Sequence, residues 1–394
     1  MATMAAARWR LHDAATPQEI PGWDELAAGR SFYTSADWLR FADTDRVARS
    51  RYLGLSAGGQ LVAALSSHWA REEVDDGYVA ARTLELPAGA PIGDGVLTLG
   101  GRRGFLSGVL VAPGLDRSAA ADYLAALIGR AVAAGPAPGP AWWWPYLLCS
   151  DVDVVVAARA RLGGTAGAGV HLVGADYVID VVGTTIDDYV AALPTRLRRA
   201  NFRREDRRFT DSGLEIRRIE LADYWARLGP LLAALQQKYG HRQSADEIAA
   251  ALRRHAEHLG SRAVVFGCFD HDVVVGFALL NRWGDELALR ALGFDYERLL
   301  GVDEYAQLAM HAPLRHCYEH GLHRLRLGIE SDEAKIRRGA RPRPVWAVTS
   351  LPGTDSDGLA RTVGRLTASM PAPETESFTA QVEQSWQRWE GLGS

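Results

Sequence analysis

The stretch of sequence that decides the fold is residues 263–294, AVVFGCFDHDVVVGFALLNRWGDELALRALGF. Runs of β-branched and apolar residues alternate here with short polar breaks, a pattern typical of strands joined by tight turns. The pattern predicts three antiparallel strands, at Ala263–Phe269, Val273–Leu280 and Glu286–Phe294. The polar segments between them supply the turns.

A helix and a fourth strand are predicted directly after these three strands. The helix extends from about Asp303 to Gly321, and Pro313 should kink it. Its apolar residues recur at i, i+3, i+4 and i+7: Tyr305, Leu308, Ala309 and Ala312. The apolar run Leu322–Gly328 is the fourth strand.

The first half of the chain repeats this order of elements. Its predicted strands are Arg51–Leu55, Leu61–Ser67, Phe105–Val111 and Trp142–Leu148. A helix begins at the caps Asp116 and Ser118 and ends near Ala134, between the third and fourth strands. The repeated order of three strands, a helix and a further strand predicts a mixed α/β fold with two lobes in tandem.

The predicted lobes are residues 1–180 and 181–394. A chain of 394 residues exceeds the size at which a single hydrophobic core usually stops growing, which favours two domains. The second lobe includes a mostly helical insert, residues 181–260, which begins at the cap Thr185. After Pro342 we expect a short strand around Val345–Thr349 and then a peripheral tail.

Composition narrows the class of protein further. With 47% apolar and 23% charged residues the chain is globular, and its net charge of -4 gives no general attraction to polyanions. Cys149, Cys268 and Cys317 are too few and too scattered for a disulfide framework or a thiolate zinc site. The sequence has no signal-peptide pattern and no apolar stretch of about 20 residues, so we expect a cytoplasmic location without a membrane span.

Three segments carry a resemblance to a known family. They are Asp187–Arg204, which contains LRRANFRR at 197–204; Phe294–Gly321, which begins with Phe294-Asp295-Tyr296; and Gly328–Gly339, which contains Lys335. In this order they resemble the FemABX-like peptidyltransferases and their FemAB-like acetyltransferase relatives. The resemblance implies two GNAT lobes in tandem, aminoacyl-tRNA as the donor, and a lysine at the donor end that helps to stabilise the charged intermediate. In family members an aromatic residue usually precedes that lysine, whereas here Ala334 does.

Arginines dominate the basic residues, and one predicted helix concentrates them. Leu193–Phe209 holds seven arginines against Glu205 and Asp206, a local charge of +5. Arg196, Arg199, Arg203 and Arg207 share one face at i, i+3, i+7 and i+11. Planar guanidinium groups in such a row suit several phosphates, although a solvated face paired with nearby acids has the same pattern.

A second basic stretch, Arg324–Arg343, has a local charge of +4, and both stretches would border one cleft if the lobes fold as predicted. A positive cleft favours a nucleic-acid end or a phosphorylated donor. The predicted donor-binding or phosphate-binding residues are Arg196, Arg199, Arg203, Arg207, Arg298 and Arg338.

The segment Arg298-Leu299-Leu300-Gly301-Val302-Asp303 bears on acyl-CoA as an alternative donor. GNAT acetyltransferases hold the CoA pyrophosphate on backbone N–H groups at a helix start, with the pattern Arg/Gln-x-x-Gly-x-Gly/Ala. The first four positions match, but Asp303 puts a side chain and a negative charge at the sixth. This argues against tight CoA binding in the second lobe, although Asp303 also fits an ordinary helix cap.

No metal site and no cofactor are predicted. His316, His320 and His323 recur at helical spacing but lack acidic partners at fixed spacing. Lys238 and Tyr239 lie where a predicted helix ends in a loop, and with Tyr305 they are the candidate acceptor-binding residues. For Lys238 and Tyr239, ordinary helix termination is the alternative explanation.

The leading hypothesis is amide formation between an aminoacyl-tRNA and an amine, such as a cell-wall precursor or a natural-product intermediate. The candidate catalytic residues are Lys335, one of only two lysines in the chain, for the oxyanion, and Glu330 and His241 for the amine proton. The tRNA acceptor end is then the expected partner. The alternatives are an acyl-CoA-dependent N-acyltransferase of the same fold and a non-catalytic module that binds RNA or a glycan precursor.

Overall fold

The computed structural model describes residues 9–73, 75–86, 96–135, 141–163, 169–240, 242–329, 332–351 and 353–390. The chain divides into two compact units: residues 1–176 with 343–394, and residues 177–342. No helix within the described ranges is both long enough and apolar enough to cross a membrane.

The strands are β1 Trp9–Ala14, β2 Ala48–Ala57, β3 Gln60–Ala70, β4 Leu97–Leu99, β5 Leu110–Val111, β6 Trp142–Leu148, β7 Val170–Asp180, β8 Glu215–Ile219, β9 Ala263–Asp270, β10 Val273–Trp283, β11 Glu286–Phe294, β12 Arg324–Gly328 and β13 Arg341–Thr349. The α-helices are α1 Trp23–Ala27, α2 Ala36–Ala42, α3 Ala80–Thr83, α4 Arg117–Ala133, α5 Cys149–Arg161, α6 Ile186–Ala192, α7 Arg196–Asp211, α8 Leu221–Lys238, α9 Ala245–Leu259, α10 Glu304–Ala306, α11 Ala312–Glu319, α12 Asp332–Arg337, α13 Ser356–Thr367 and α14 Ala372–Glu390. A π-helical segment, Gln307–His311, joins α10 to α11.

The sheet of the first unit has the order β1-β2-β3-β4-β6-β13, and β5 also pairs with β3. The predicted strands Arg51–Leu55 and Leu61–Ser67 are confirmed as β2 and β3, an antiparallel pair that turns at Gly58 and Gly59. Both glycines have positive φ, 58° and 86°, the geometry that a two-residue hairpin loop requires and that residues with a Cβ rarely adopt. The predicted helix is also present as α4, with Asp116 accepting from the N–H of Ala119 at 2.9 Å.

The third strand of this unit differs from the prediction. Phe105–Val111 was expected to be the strand, but only Leu110–Val111 is, and β4 at Leu97–Leu99 lies parallel to β6 instead. The intervening segment leaves the sheet at Gly100 and Gly101, whose φ angles are 79° and 138°. Backbone with positive φ at consecutive residues cannot continue a strand, so the apolar character of residues 105–109 serves packing and not pairing.

The end of the chain also differs from the prediction, which placed a strand around Val345–Thr349 and a peripheral tail in the second lobe; the strand is present as part of β13. The structure assigns residues 343–394 to the first unit. Trp389 of α14 is buried against Trp346 of β13, with ring centroids 4.8 Å apart, and its indole donates to Asp153 at 2.6 Å. Burying a large aromatic ring with its N–H satisfied holds this helix in the core.

The sheet of the second unit has the order β12-β11-β10-β9-β8, with residues 177–180 of β7 beside β12. The predicted strands β9, β10, β11 and β12 are all present. The predicted helical insert contains α6, α7, α8 and α9 but also β8, which pairs with β9 and was not predicted. Helices α8 and α9 pack on this sheet through Leu228, Leu231, Ile248 and Leu252.

The helical stretch after β11 is interrupted where Pro313 was expected to kink it. The π-helical segment Gln307–His311 directly precedes α11, whose first turn contains Pro313. Proline has no N–H for the carbonyl four residues earlier, so the turn before it has to widen or bend. The wider turn places His311 in the interior of the unit, where it is fully buried.

Candidate functional site

The site is built where β11 and β12 part. The two strands pair in parallel over three residue pairs, from Glu286 with Arg324 to Ala288 with Arg326. β11 then contains a bulge opposite Leu279 and Leu280 and continues to Phe294, while β12 ends at Gly328. Beyond Ala288 and Arg326 no described residue of β11 pairs with β12. The backbone groups towards the carboxyl ends of the two strands therefore do not bond to each other.

The loop after β11 is closed by an internal anion. The carboxylate of Glu304 accepts hydrogen bonds from the N–H groups of Leu300 at 2.7 Å, Gly301 at 3.0 Å and Val302 at 2.8 Å. Glu304 is only 3% exposed. Three successive N–H groups that converge on one anion form a nest, and in this chain the nest is filled by the protein's own side chain.

Asp303 does not occupy this nest. It has a left-handed φ of 70° and its carboxylate lies 3.0 Å from Nη1 of Arg208, whose Nη2 donates to the carbonyl of Gly301 at 2.7 Å. The loop is the one that the sequence singled out, but the carboxylate that fills its nest belongs to Glu304 and not to Asp303. Arg298 of the same loop is exposed and lies 3.6 Å from Asp295, so it makes no contact within the nest.

Lys335 lies at the carboxyl end of β12. It belongs to α12 and is 3% exposed, and its Nζ donates to the carbonyl oxygen of Gly328 at 3.2 Å. The Nζ also lies 5.2 Å from the ring centroid of Tyr177, within the range of a cation–π contact. The lysine is thus held by a strand end and an aromatic ring. Glu330, the predicted proton-transfer carboxylate, lies outside the described residues.

Two more titratable groups adjoin Lys335. Burial raises the pKa of Asp332 above its ordinary value, although Tyr177 and the Lys335 ammonium oppose that shift. Burial, and after it the Asp332 carboxylate, raise the pKa of the Tyr177 phenol well above its usual range. The Tyr177 phenol is therefore neutral. The net charge beside the Lys335 ammonium then depends on whether the Asp332 carboxyl carries a proton.

Helix α7 has an apolar face and a cationic face. Phe202, Glu205 and Phe209 are buried, whereas Arg196, Arg203 and Arg207 point to solvent. None of these three arginines forms an ion pair with a described residue. The fourth predicted member, Arg199, is half-buried and donates to the carbonyl of Leu193 at 2.6 Å. Three guanidinium groups of the predicted row therefore remain available for anions.

Arg338 is committed to a buried carboxylate instead of to a phosphate. Its Nε and Nη2 each donate to Glu205 at 2.9 Å, and its Nη1 donates to the carbonyl of Ala334 at 2.9 Å. A donor phosphate would have to displace Glu205, which would leave a buried carboxylate unpaired. The pairing of Arg338 with Glu205 therefore argues against its predicted role in phosphate binding.

The same carboxylate extends a network into the π-helical segment. His311 Nε2 lies 3.1 Å from Glu205, its ring stacks on Phe202 at 3.8 Å, and its Nδ1 lies 3.6 Å from Asp206. Burial acts to raise the pKa of Glu205, but His311 and Arg338 hold it below its ordinary value. The neighbouring His311 ring, followed by Arg315, lowers the pKa of Asp206 strongly. Both carboxylates are therefore ionised at neutral pH.

The second basic stretch is largely neutralised. Arg324 and Arg326 pair with Glu286, Arg337 pairs with Glu333, and Arg341 pairs with Asp180. Its expected role as a positive surface is therefore not supported, because these pairs consume the charge that the local count assigned to it. The cationic surface of the second unit is instead that of α7.

Two of the three candidate acceptor residues, Lys238 and Tyr305, lie beside the aromatic rings of Tyr296 and Phe294. Lys238 Nζ lies 4.8 Å above the ring of Tyr296, which neighbours Phe294, whose ring centroid is 6.4 Å from that of Tyr305. Tyr239 is 64% exposed. His241 lies outside the described residues.

One cluster among the described residues has metal-ligand chemistry: His316, Glu319 and His320, with ligand atoms within 4.8 Å of one another. Glu319 is the acidic partner that sequence analysis missed, and His323 is not part of the cluster. Burial lowers the pKa of His316 to about 4, and His320, Arg218 and Arg282 contribute. Two nearby guanidinium groups oppose the binding of a cation at this position.

Comparison with known proteins assigns the domain. The acetyltransferase (GNAT) domain family matches residues 196–335, all of them within the second unit. The crystal structure of FemX is similar over 91% of this chain and 99% of its own, with a TM-score of 0.60 and 11% identity. A tandem GNAT protein from the clavulanic acid biosynthesis pathway is similar over 88% of this chain and all of its own, with a TM-score of 0.48 and 16% identity. No curated protein matches the sequence.

The class of protein follows from these findings. The chain contains an acyltransferase domain of the GNAT type, and its fold is the FemX-like tandem GNAT fold that the sequence predicted. The repeated order is visible in the strands, because in both units the strand that follows an antiparallel hairpin pairs in parallel with the strand after the helix: β4 with β6, and β11 with β12.

Proposed function

We propose that this acyltransferase forms an amide by transferring an aminoacyl group from aminoacyl-tRNA to an amine. The observation that carries the proposal is the filled nest after β11. An acyl-CoA donor needs free backbone N–H groups for its pyrophosphate at this loop. In this chain the N–H groups of Leu300, Gly301 and Val302 already bind Glu304.

The electrostatic cost of CoA binding supports the same donor choice. A pyrophosphate at this loop would have to expel a buried carboxylate and then lie beside two negative side chains, Glu304 and Asp303. Leaving a buried charged group without its hydrogen bonds costs several kcal/mol, roughly 2–4 by the usual scale. A donor whose phosphates bind elsewhere avoids that cost.

The exposed arginines of α7 offer such a place. Arg203 and Arg207 are one helical turn apart, about 6 Å along the helix axis, and Arg196 continues the row towards the start of the helix. Guanidinium groups in a row can contact successive phosphates of an RNA strand without reading its sequence. The tRNA acceptor end is the nucleic acid that carries the activated ester.

The chemistry requires no covalent enzyme intermediate. The acceptor nitrogen attacks the ester carbonyl carbon, a C–N bond forms, and the carbonyl oxygen becomes an oxyanion. Collapse of this intermediate breaks the bond to the ribose oxygen, which takes the proton that the amine loses, and the products are the amide and deacylated tRNA. We assign stabilisation of the oxyanion to the Lys335 ammonium, and keep Glu330 and His241 as candidates for moving the proton.

An acyl-CoA donor is the second candidate, favoured by the match of residues 196–335 to an acetyltransferase domain. One experiment separates the donors: purified protein is incubated with a panel of amines and either labelled aminoacyl-tRNA or labelled acyl-CoA. Transfer that RNase abolishes supports the proposal. Transfer from acyl-CoA with release of free CoA overturns it, and RNA binding without any turnover identifies a binding module.

A further inference from the structure

Glu205 lies on the buried side of the helix that carries the exposed arginines. It is 9% exposed, while Arg203 and Arg207, two residues away on either side, point to solvent. Its two carboxylate oxygens accept hydrogen bonds from Nε and Nη2 of Arg338, each at 2.9 Å. One of these oxygens also lies 3.1 Å from His311 Nε2. A bidentate pair of this kind fixes orientation as well as distance.

Arg338 in turn holds the short helix that carries Lys335. Its side-chain Nη1 donates to the carbonyl of Ala334 at 2.9 Å, and its backbone N–H donates to the carbonyl of Lys335 at 3.1 Å. The carbonyl of Arg338 accepts a hydrogen bond from the hydroxyl of Tyr189. A six-residue helix is too short to be stable alone, so these contacts determine where α12 lies.

We propose that Glu205, acting through Arg338, is a positioning residue for the Lys335 ammonium. The inference rests on the proposed function in one respect, the assignment of oxyanion stabilisation to Lys335. The exposed face of α7 then offers arginines to the donor. The buried face, through Glu205, positions the Lys335 ammonium that stabilises the oxyanion. A reacting group must be held within about 0.5 Å of its productive position, and the short helix α12 needs contacts from outside to hold the lysine it carries there.

The first test needs no substrate. The chain has only two lysines, Lys238 and Lys335, so protein made with lysine labelled with ¹³C at Cε gives two side-chain signals, assigned with Lys335→Met. Glu205→Gln keeps the shape of the side chain but removes the charge that holds Arg338. We expect the Lys335 signal to shift or broaden while the Lys238 signal stays in place, which also shows that the variant is folded.

Glu286→Gln is the matched control, because Glu286 also accepts a two-pronged contact from an arginine, Arg326, but does not touch α12. It should leave both lysine signals unchanged. An unchanged Lys335 signal in Glu205→Gln, or an equal change in Glu286→Gln, overturns the proposal. If Glu205→Gln does not fold, Glu205→Asp, which shortens the reach and keeps the charge, is measured in its place.

The second test is a double-mutant cycle on the single-turnover rate of transfer. Glu205→Gln should lower the rate by roughly 10- to 100-fold, because a misplacement of about 1 Å can cost that much. In the Lys335→Met background the same change should have no further effect, whereas a general loss of stability would act equally in both backgrounds. Equal effects in both backgrounds, or no effect of Lys335→Met alone, contradict the proposal.

The failure of this inference is distinguishable from the failure of the proposed function. If acyl-CoA is the donor, the cycle is run with acyl-CoA and the positioning role of Glu205 is judged by the same non-additivity. If no donor supports transfer, the proposed function fails while the lysine signals still decide whether Glu205 sets the place of Lys335.

Discussion

Each unit of the molecule has an arginine that donates to a carboxylate from a distant segment, but the two clusters do different things. In the first unit Arg102, 1% exposed, donates to Glu73 at 2.8 Å and to Asp45 at 2.7 Å. In the second unit Arg338 donates to Glu205 on α7 and to α12. The first cluster closes a loop onto the segments before β2 and after β3, while the second joins two helices of the candidate site.

The comparison shows that an arginine–carboxylate contact can serve two purposes. In the first unit it packs a loop, and in the second unit we propose that it positions Lys335. Arg103, next to Arg102, also pairs with Asp45 and Glu73, so the first cluster uses its cations internally. The second cluster lies beneath helix α7, whose exposed Arg196, Arg203 and Arg207 form no ion pair with a described residue. The contact of Glu205 with Arg338 on the inner face of α7 does not involve these arginines, so their positive charge remains exposed on the outer face.

The largest expected effect is on stability in the first unit. Arg102→Leu should lower the free energy of unfolding by about 3–5 kcal/mol, because Glu73 and Asp45 lose the buried guanidinium that donates to both, and Arg103 is left to pair with these half-buried carboxylates. Urea denaturation measures this. Arg82→Leu is the control, since Arg82 pairs with Asp76 at the surface, where both side chains are 67% exposed, and should cost less than about 1 kcal/mol. Equal losses for the two variants would remove the distinction between buried and exposed pairs.

The next effect is on chemistry in the second unit. Lys335→Met should lower the single-turnover rate of transfer by roughly 10²- to 10³-fold, the usual scale for the loss of one oxyanion-stabilising group. Donor affinity should change far less, because the interaction that is removed strengthens mainly in the transition state. Rate and donor affinity are measured on the same preparation. A folded variant with near-normal turnover would exclude Lys335 from the mechanism.

A third effect is the loss of stability in acid, to which one buried histidine in each unit, His68 and His255, should contribute. Burial lowers the pKa of His68 and of His255 to about 3 in the folded state, whereas an unfolded histidine titrates near 6.5. Between those values the unfolded state binds protons that the folded state does not, so stability is lost as pH falls below about 6.5. Each histidine should contribute a loss of about 2 kcal/mol from pH 6.5 to pH 5.

Urea denaturation at pH 7 and pH 5 measures this loss, and His68→Gln and His255→Gln should each show a smaller pH dependence than the unaltered chain. A pH dependence that both variants retain in full would assign the acid sensitivity to other groups.

The smallest effect per residue is expected at the surface of α7. Replacing Arg196, Arg203 and Arg207 by Ala should weaken tRNA binding whatever the esterified amino acid. It should also flatten the log-log salt dependence of the affinity by about 0.7–0.9 for each phosphate that the variant no longer neutralises. Arg253→Ala is the control, because Arg253 is exposed but pairs with Glu257 at 2.9 Å. An unchanged salt slope in the triple variant would make this face an ordinary solvated one.

Local patterns predicted the elements of the second unit well. Strands β9 to β11 and the cap Thr185 of α6 lie where alternation and capping chemistry placed them. The same reasoning failed for β8 and for Phe105–Val111, because strand pairing depends on a neighbour that a local window does not contain.

The candidate site was predictable to a lesser degree. Lys335 and the loop before α10 were identified from their sequence context, and the exposed row on α7 followed from its spacing. The contacts of Glu304 with its own loop and of Glu205 with Arg338 were not predicted. Their partners could not be read from spacing: Glu304 turns back onto the loop that precedes it, and Glu205 lies 133 residues from Arg338.

The sequence by itself determined the periodicity of each element, and hence that Phe202 and Phe209 of α7 face inward while Arg203 and Arg207 face outward. Helical and strand periods are properties of the local backbone, so they need no knowledge of the rest of the chain. Only the tertiary structure decided which acidic group each cation meets. An ion pair between distant segments depends on where folding brings them, and many pairings of arginines with carboxylates are equally compatible with the same sequence.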